Sequence, residues 1–260
     1  MIRPEFIETL PGERMHTAIR PLALRMSSLA LCAALLAGCG EDPEAVKAAA
    51  AAQAAAQEAE ALKGAAAFDD AVGQQNWALA KAQAEVLMMD FPDSAAAKRV
   101  SAQLDEVKAK SEAERETKRL AALWSYGTQN VTGGLQRSTA IYAKDDVDVD
   151  GSGPTQVRLI FRDHPSWGRS SYLVLQRGDF DCYRGCRVPV KPDDRPAKSL
   201  PGSRPDTDEA IAMFIEDDRA LWKLAKNAKT LEIEFPVKGL GKRKAVFEVG
   251  GLDRSQMPGW

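Results

Sequence analysis

Few side chains in this chain are of types that do chemistry, so their spacing carries most of the functional argument. Cys182 and Cys186 flank Tyr183-Arg184-Gly185, and His164 is the single histidine after His16. Two thiols this close can form a redox couple, hold a metal or close a structural disulfide. Redox couples favour two intervening residues at a helix N-terminus, where the thiol pKa falls; here there are three, followed by strand-like sequence. A zinc site lacks its remaining ligands, since no second cysteine pair and no second histidine follow residue 38. A structural disulfide at the tip of a tight hairpin is expected if the chain works in an oxidising compartment. By chain entropy so short a loop contributes about 2 kcal/mol. His164 could serve as the base of a serine hydrolase, with Ser166, Ser170 and Ser171 nearby. None of these serines sits in a Gly-x-Ser-x-Gly elbow. Asp163-His164-Pro165-Ser166-Trp167-Gly168 reads instead as a loop between two strands, with Trp167 folded over the core edge. No pair of carboxylates stands out as the acid and base of a glycosidase, so no catalytic residue is assigned.

Asp146-Val147-Asp148-Val149-Asp150-Gly151 sets three carboxylates at alternate positions before a glycine. Over those six residues it resembles the opening of an EF-hand calcium loop, in which Asp146, Asp148 and Asp150 would be ligands. That family closes its loop with a bidentate glutamate, and Val157 stands at the corresponding position. Asp145 or Asp163 would have to fold in to replace it. The expectation is therefore an acidic, solvated connection ending in Gly151-Ser152-Gly153-Pro154, with no cofactor and calcium as the alternative.

A second resemblance bears on address. Leu29 to Leu36 is apolar, follows Arg20 and Arg25, and is too short to span a bilayer, which takes about 20 residues. Together with Leu36-Ala37-Gly38-Cys39 this resembles a lipoprotein export signal ending in a lipobox. The resemblance implies that residues 1–38 are removed and that Cys39 is lipidated, anchoring the chain to a membrane. Met15 is the better start, because residues 1–14 are not a basic leader. Gly40, in place of an inner-membrane retention aspartate, points to the outer membrane with the protein facing the periplasm. Residues 1–38 carry four of the 35 basic and three of the 37 acidic residues, leaving 31 and 34 and a net charge near −3. That is no footprint for nucleic acid.

The elements that must position these residues fall into three stretches. Residues 39–67 are alanine-rich, a good helix composition with little to pack, and read as a solvated stalk in which 20 helical residues would reach about 30 Å. Residues 68–119 read as a helical hairpin and a charged connector. Trp77, Ala80, Ala84, Leu87 and Phe91 recur at helical spacing, Phe91-Pro92-Asp93-Ser94 stops one helix and caps the next, and Ala97, Val100, Leu104 and Val107 continue the stripe. The segment from Trp77 to Ala97 resembles a single tetratricopeptide-like repeat. From residue 120 to 260 the period becomes two: Val157-Leu159-Phe161, Cys186-Val188-Val190, Leu231-Ile233-Phe235 and Phe247-Val249 alternate with charged residues. Asp217 or Asp218 starts one helix, with Leu221, Leu224, Ala225 and Ala228 inward. The fold expected is α+β, with helices followed by an antiparallel β sandwich or partly open barrel.

Several short pieces of this last region resemble uncharacterised proteobacterial envelope lipoproteins and, more distantly, type VI secretion-associated accessory proteins. They are residues 123–126 (Leu-Trp-Ser-Tyr), 162–165 (Arg-Asp-His-Pro) with Trp167-Gly168, Phe180-Asp181-Cys182, Asp193-Asp194, 214–218 and 247–251. Pro192 stands where that pattern has an aromatic residue. The resemblance implies no catalytic residues. Together these readings imply a lipid-tethered, non-catalytic binding or scaffold module with an envelope protein as partner. Arg158, Arg162, Arg177, Arg184, Arg187 and Arg195 on the wet faces suggest that the partner is acidic. The alternative is an envelope enzyme or calcium-dependent binder, which would need a groove lined by Asp146, Asp148, Asp150 and His164.

Overall fold

A computed structural model describes residues 42–260. The expected leader, the alternative starts and the expected lipidation site Cys39 lie outside the described residues. Residues 50–260 form one compact unit, and before them the opening turns of the first helix are exposed. No helix among the described residues is long and apolar enough to cross a membrane.

Among the described residues four helices come first: α1 (Pro43–Gly73), α2 (Trp77–Asp90), α3 (Ala95–Ser101) and α4 (Leu104–Ala122). Asn76 caps α2 through a bond from the Leu79 amide, and Ser94 caps α3 through one from Ala97; such caps are worth about 1 kcal/mol each. The stripe expected to run from Ala97 to Val107 as one helix is broken between Ser101 and Leu104. The stalk boundary expected at residue 67 falls inside α1, whose later turns are packed. Ala61, Ala65, Phe68 and Ala71 are buried against Ala80, Ala84, Leu87 and Val100. Polar contacts fix the same turns: Glu58 accepts from the Ala95 and Ala96 amides at 2.8 and 3.0 Å, and Asp69 pairs with Arg99 at 2.8 Å. The carboxylate of Glu58 thus lies on the positive end of α3.

Helix α4 carries the charged connector, laced by ion pairs three and four residues apart such as Lys118–Glu114. Its last turn is docked rather than free. Arg119 grips Glu248 through two bonds, and Gly251 lies so close to Leu120 that an added Cβ would collide with the Leu120 carbonyl.

The chain then enters a sheet of nine antiparallel strands. Across the sheet, each strand pairing with the next, they run β1 (Trp124–Val131), β2 (Gly134–Tyr142), β5 (Val157–His164), β6 (Gly168–Leu175), β9 (Ala212–Ile215), β8 (Lys198–Ser203), β7 (Cys186–Pro192), β10 (Leu231–Val237) and β11 (Gly241–Phe247). A separate hairpin, β3 (Val147–Asp148) with β4 (Pro154–Thr155), lies between β2 and β5 in sequence. The fold is α+β, helices first and then a β-rich part. The nine strands form one continuous sheet that does not close. It curls, because the Lys144 amide just beyond β2 donates to the Val246 carbonyl of β11 at 2.7 Å.

One face of each strand builds the core. Leu159, Phe161, Leu173, Met213, Ile215, Val188, Val190, Ile233, Phe235 and Phe247 are buried in one cluster. Helix α5 (Asp218–Ala225), capped by Asp217 through the Ala220 amide, covers it with Leu221, Trp222 and Ala225. Val249 does not extend a strand as expected; it begins a 3-10 turn at Val249–Gly251, after which the tail brings Trp260 edge-on to Phe161.

Candidate interaction surface

The residues singled out in the sequence do not come together. Val157 and His164 are the two ends of β5, and the Asp148–Asp150 turn precedes the first while the β5–β6 turn follows the second. An eight-residue strand is about 25 Å long. Within the acidic turn two of the three carboxylates are occupied locally, and Asp146 is exposed. Asp148 accepts from the Gly151 amide at 2.7 Å, while Asp150 accepts from Ser152 and pairs with Arg177 at 3.0 Å. The Ser152 hydroxyl and amide, helped by Arg177, hold the Asp150 carboxyl below its ordinary range. Val157, at the closing position of the calcium pattern, is buried in the core.

His164 is buried as well, and its Nδ1 accepts from the Ser166 and Trp167 amides at 3.1 and 3.3 Å. Both contacts to Nδ1 are local to the turn, and the Ser166 hydroxyl donates to the Thr132 carbonyl rather than to the imidazole. Trp167 does not cover the core as expected; it is 72% exposed and stacks on the His164 ring at 3.9 Å. Five surface hollows measure about 260–310 Å³, and neither His164 nor the acidic turn lines any of these five.

Cys182 and Cys186 are joined, with their Cα atoms 5.2 Å apart. The loop is not the tip of a hairpin; it is a turn at the entrance to β7, closed by a Gly185 amide to Cys182 carbonyl bond. It presents Tyr183 to a group that sequence reasoning missed. Asp179 and Arg204, 25 residues apart, form an ion pair whose side chains are only 8% and 1% exposed. Asp179 also accepts from the Ala210 amide at 2.9 Å and the Tyr183 hydroxyl at 2.8 Å, with Lys238 at 3.3 Å. Arg204 further donates to the Phe180, Pro205 and Thr207 carbonyls and lies 3.9 Å over the Tyr183 ring. Burial pushes the Asp179 carboxyl up, but the bonds from Ala210, Tyr183, Lys238 and Arg204 outweigh it and hold the group below the ordinary range. Both charges are paired and bonded, which is how a buried ion pair survives its desolvation. This cluster ties the disulfide loop to residues 204–210.

The outer face of the sheet does have open valences. Strand register aligns its outward residues in rows: Tyr142, Arg158, Val174 and Ala212; then Ser125, Ala140, Ile160, Tyr172, Phe214 and Ser203; then Gly127, Ser138, Arg162 and Ser170. The first two rows hold no carboxylate, and Glu216, just past β9, lies opposite Ser170 at the end of the third; neither arginine is paired with a carboxylate. Ile160, Tyr172, Val174 and Phe214 are half-buried, and Tyr142 is exposed. The arginines lie on aromatic rings, Arg158 at 5.3 Å from Tyr142 and Arg162 at 5.4 Å from Tyr172, a favourable contact that leaves donors unspent. Their polar partners are neutral: Arg158 reaches Ser125 and Arg162 reaches Ser170, each at 3.2 Å. The Arg158 Nε is buried with no partner among the described residues.

Other arginines expected to face an acidic partner are already engaged. Arg177 holds Asp150, Arg195 holds Asp193 and the Asn227 carbonyl, and Arg187 holds Ser199, while Arg184 is exposed on the disulfide loop. The far half of the same face, on β10 and β11, carries matched pairs instead, Lys244–Glu232 and Lys242–Glu234, each at 2.8 Å. Alternation in residues 157–162 marks Arg158 and Arg162 as outward, and that much the sequence offers. Their lack of carboxylates depends on which strands lie beside β5. Compared with family models, with curated proteins and with solved structures, the chain matches none.

Proposed function

We propose that this chain is a lipid-anchored, non-catalytic binding module of the bacterial envelope. It is held through Cys39 at the outer membrane facing the periplasm, and its outer β2–β5–β6–β9 face receives an acidic protein partner. The observation that carries the reading is that face itself: half-exposed aromatic and aliphatic side chains around two arginines whose polar partners are neutral serines. Tyrosine and arginine are enriched where interfaces draw their affinity. A guanidinium already oriented by a ring loses less freedom on meeting a carboxylate. The docked α4 and the packed turns of α1 would make the helical part a spacer of fixed form.

Crosslinking in intact envelopes tests both halves of the proposal. With a photoreactive residue in place of Val174, a crosslinked envelope protein is expected, and Arg158→Glu with Arg162→Glu should abolish the adduct. The same adduct with both charges reversed would overturn the surface assignment. Cys39→Ala should release the chain from the membrane fraction, and a variant that still sediments with membranes would overturn the anchor.

A further inference from the structure

We infer that the free edge of β1 accepts an extended, acidic segment of the partner as an added strand, with Arg158 bonding a carboxylate on it. This rests on the reading of the outer face as the binding surface and names the form the partner takes there.

The two edges of the sheet differ in a way that singles out β1. An unpaired edge offers a row of backbone donors and acceptors to any passing strand, and proteins guard against this with lysine, proline or a covering segment. Edge β11 has two of these guards, lysines and a covering segment. Lys242, Arg243 and Lys244 lie along it, the Lys144 amide occupies the Val246 carbonyl, and Arg243 is tied to the Asp148 carbonyl at 2.8 Å. Edge β1 runs for eight residues with no charged residue and no proline. Among the described residues, no backbone hydrogen bond joins positions 125–131 to any element except β2.

Arg158 supplies the chemistry of the occupant. It stands on β5, yet its Nη2 reaches Ser125 on β1 at 3.2 Å, so the guanidinium lies across β2 and ends at the edge. An added strand would lie about 4.8 Å beyond β1. An outward side chain level with Ser125 on that strand falls within reach of the guanidinium, and a carboxylate there would complete a charge-assisted bond. A second copy of this chain pairing β1 to β1 would not supply it, because β1 contains no acid. Charge complementarity therefore favours an acidic partner segment, bound by strand addition with backbone bonds for affinity and alternate side chains for specificity.

The probe is a short synthetic peptide alternating glutamate with valine, added to the purified full-length chain, with a lysine-for-glutamate peptide as control. Binding of the acidic peptide should slow amide exchange at every second residue of 125–131, the signature of an added strand. Arg158→Ala should weaken it about tenfold, the effect of losing one charge-assisted bond, and the lysine peptide should bind at least that much more weakly. Binding that depends on Arg158 and Arg162 but leaves the β1 amides unchanged would overturn strand addition while keeping the surface. Binding indifferent to both arginines and to peptide charge would overturn the surface as well. Self-association through β1, seen as concentration-dependent protection of the same amides without peptide, would replace the acidic segment with a second copy.

Discussion

Two arginine–tyrosine clusters lie on the sheet-bearing part of the chain, and a carboxylate separates their roles. At the disulfide loop Arg204 lies over Tyr183 and bonds Asp179; on the outer face Arg158 lies over Tyr142 and Arg162 over Tyr172, with serines as their polar partners. Arg204 is buried, and its guanidinium is engaged with groups inside the protein. Arg158 and Arg162 are half-buried and bond only neutral groups. The first cluster is complete and serves the fold. The second, on the proposed reading, is completed by a partner. Residue type and ring contact are shared, so neither distinguishes the two clusters; the carboxylate bonded to Arg204, where Arg158 and Arg162 bond serines, does.

Removing the carboxylate that completes the first cluster should have the largest effect. Asp179→Asn leaves the Arg204 charge buried without its partner, and a broken buried pair typically costs about 3–5 kcal/mol. Urea unfolding followed by tryptophan fluorescence measures it, and a loss within error of zero would mean that the pair is not closed in solution. Reducing the Cys182–Cys186 bond comes next, at about 2 kcal/mol by chain entropy, with Tyr183 freed from Asp179 as part of the effect.

Acid tests the same cluster without mutation. Asp179 is held below its ordinary value of 3.8 in the folded chain. A carboxyl depressed by folding stabilises the protein above its unfolded value and loses that contribution as pH falls through the folded value. Stability should therefore decline below about pH 4, and Asp179→Asn should make the decline shallower. The decline persists in part, because Asp193 is also held low by the Thr230 and Lys229 amides, and Glu248 by Arg119.

Much of the frame is legible in the sequence and the candidate surface only partly so, for a physical reason. Alternation at 157–161, 186–190 and 231–235 reports which face of a strand is buried, and caps such as Ser94 and Asp217 report helix starts, because both signals are local. Strand order is not local. Asp179 and Arg204 are brought together by the turns entering β7 and leaving β8, and nothing near either residue announces the other. The polar sequence of β1 has no alternation to read, since as an edge strand it buries little beyond Trp124 and part of Tyr126. Trp167 departs from expectation for a related reason: a tryptophan beside a turn is expected to seek the core, whereas here the buried ring is His164 and the tryptophan lies outside it.

The smallest effect on stability is expected at Arg158, and it separates the two clusters most sharply. In the free protein this side chain lies along the sheet with its Nε buried and unpartnered among the described residues, so part of its desolvation is not recovered. Arg158→Met keeps most of the apolar stem, which covers β-sheet surface next to Tyr142, and removes the polar head. What is lost is one bond to Ser125 and one ring contact, each worth about 0.5–1 kcal/mol; what is gained is relief of a buried unsatisfied donor, of about the same size. The two offset, and the unfolding free energy should move by less than about 0.5 kcal/mol in either direction. The same substitution should cost about tenfold in affinity for an acidic partner. A loss of several kcal/mol in the unbound protein would make Arg158 a structural residue like Arg204, and the contrast between the clusters would disappear.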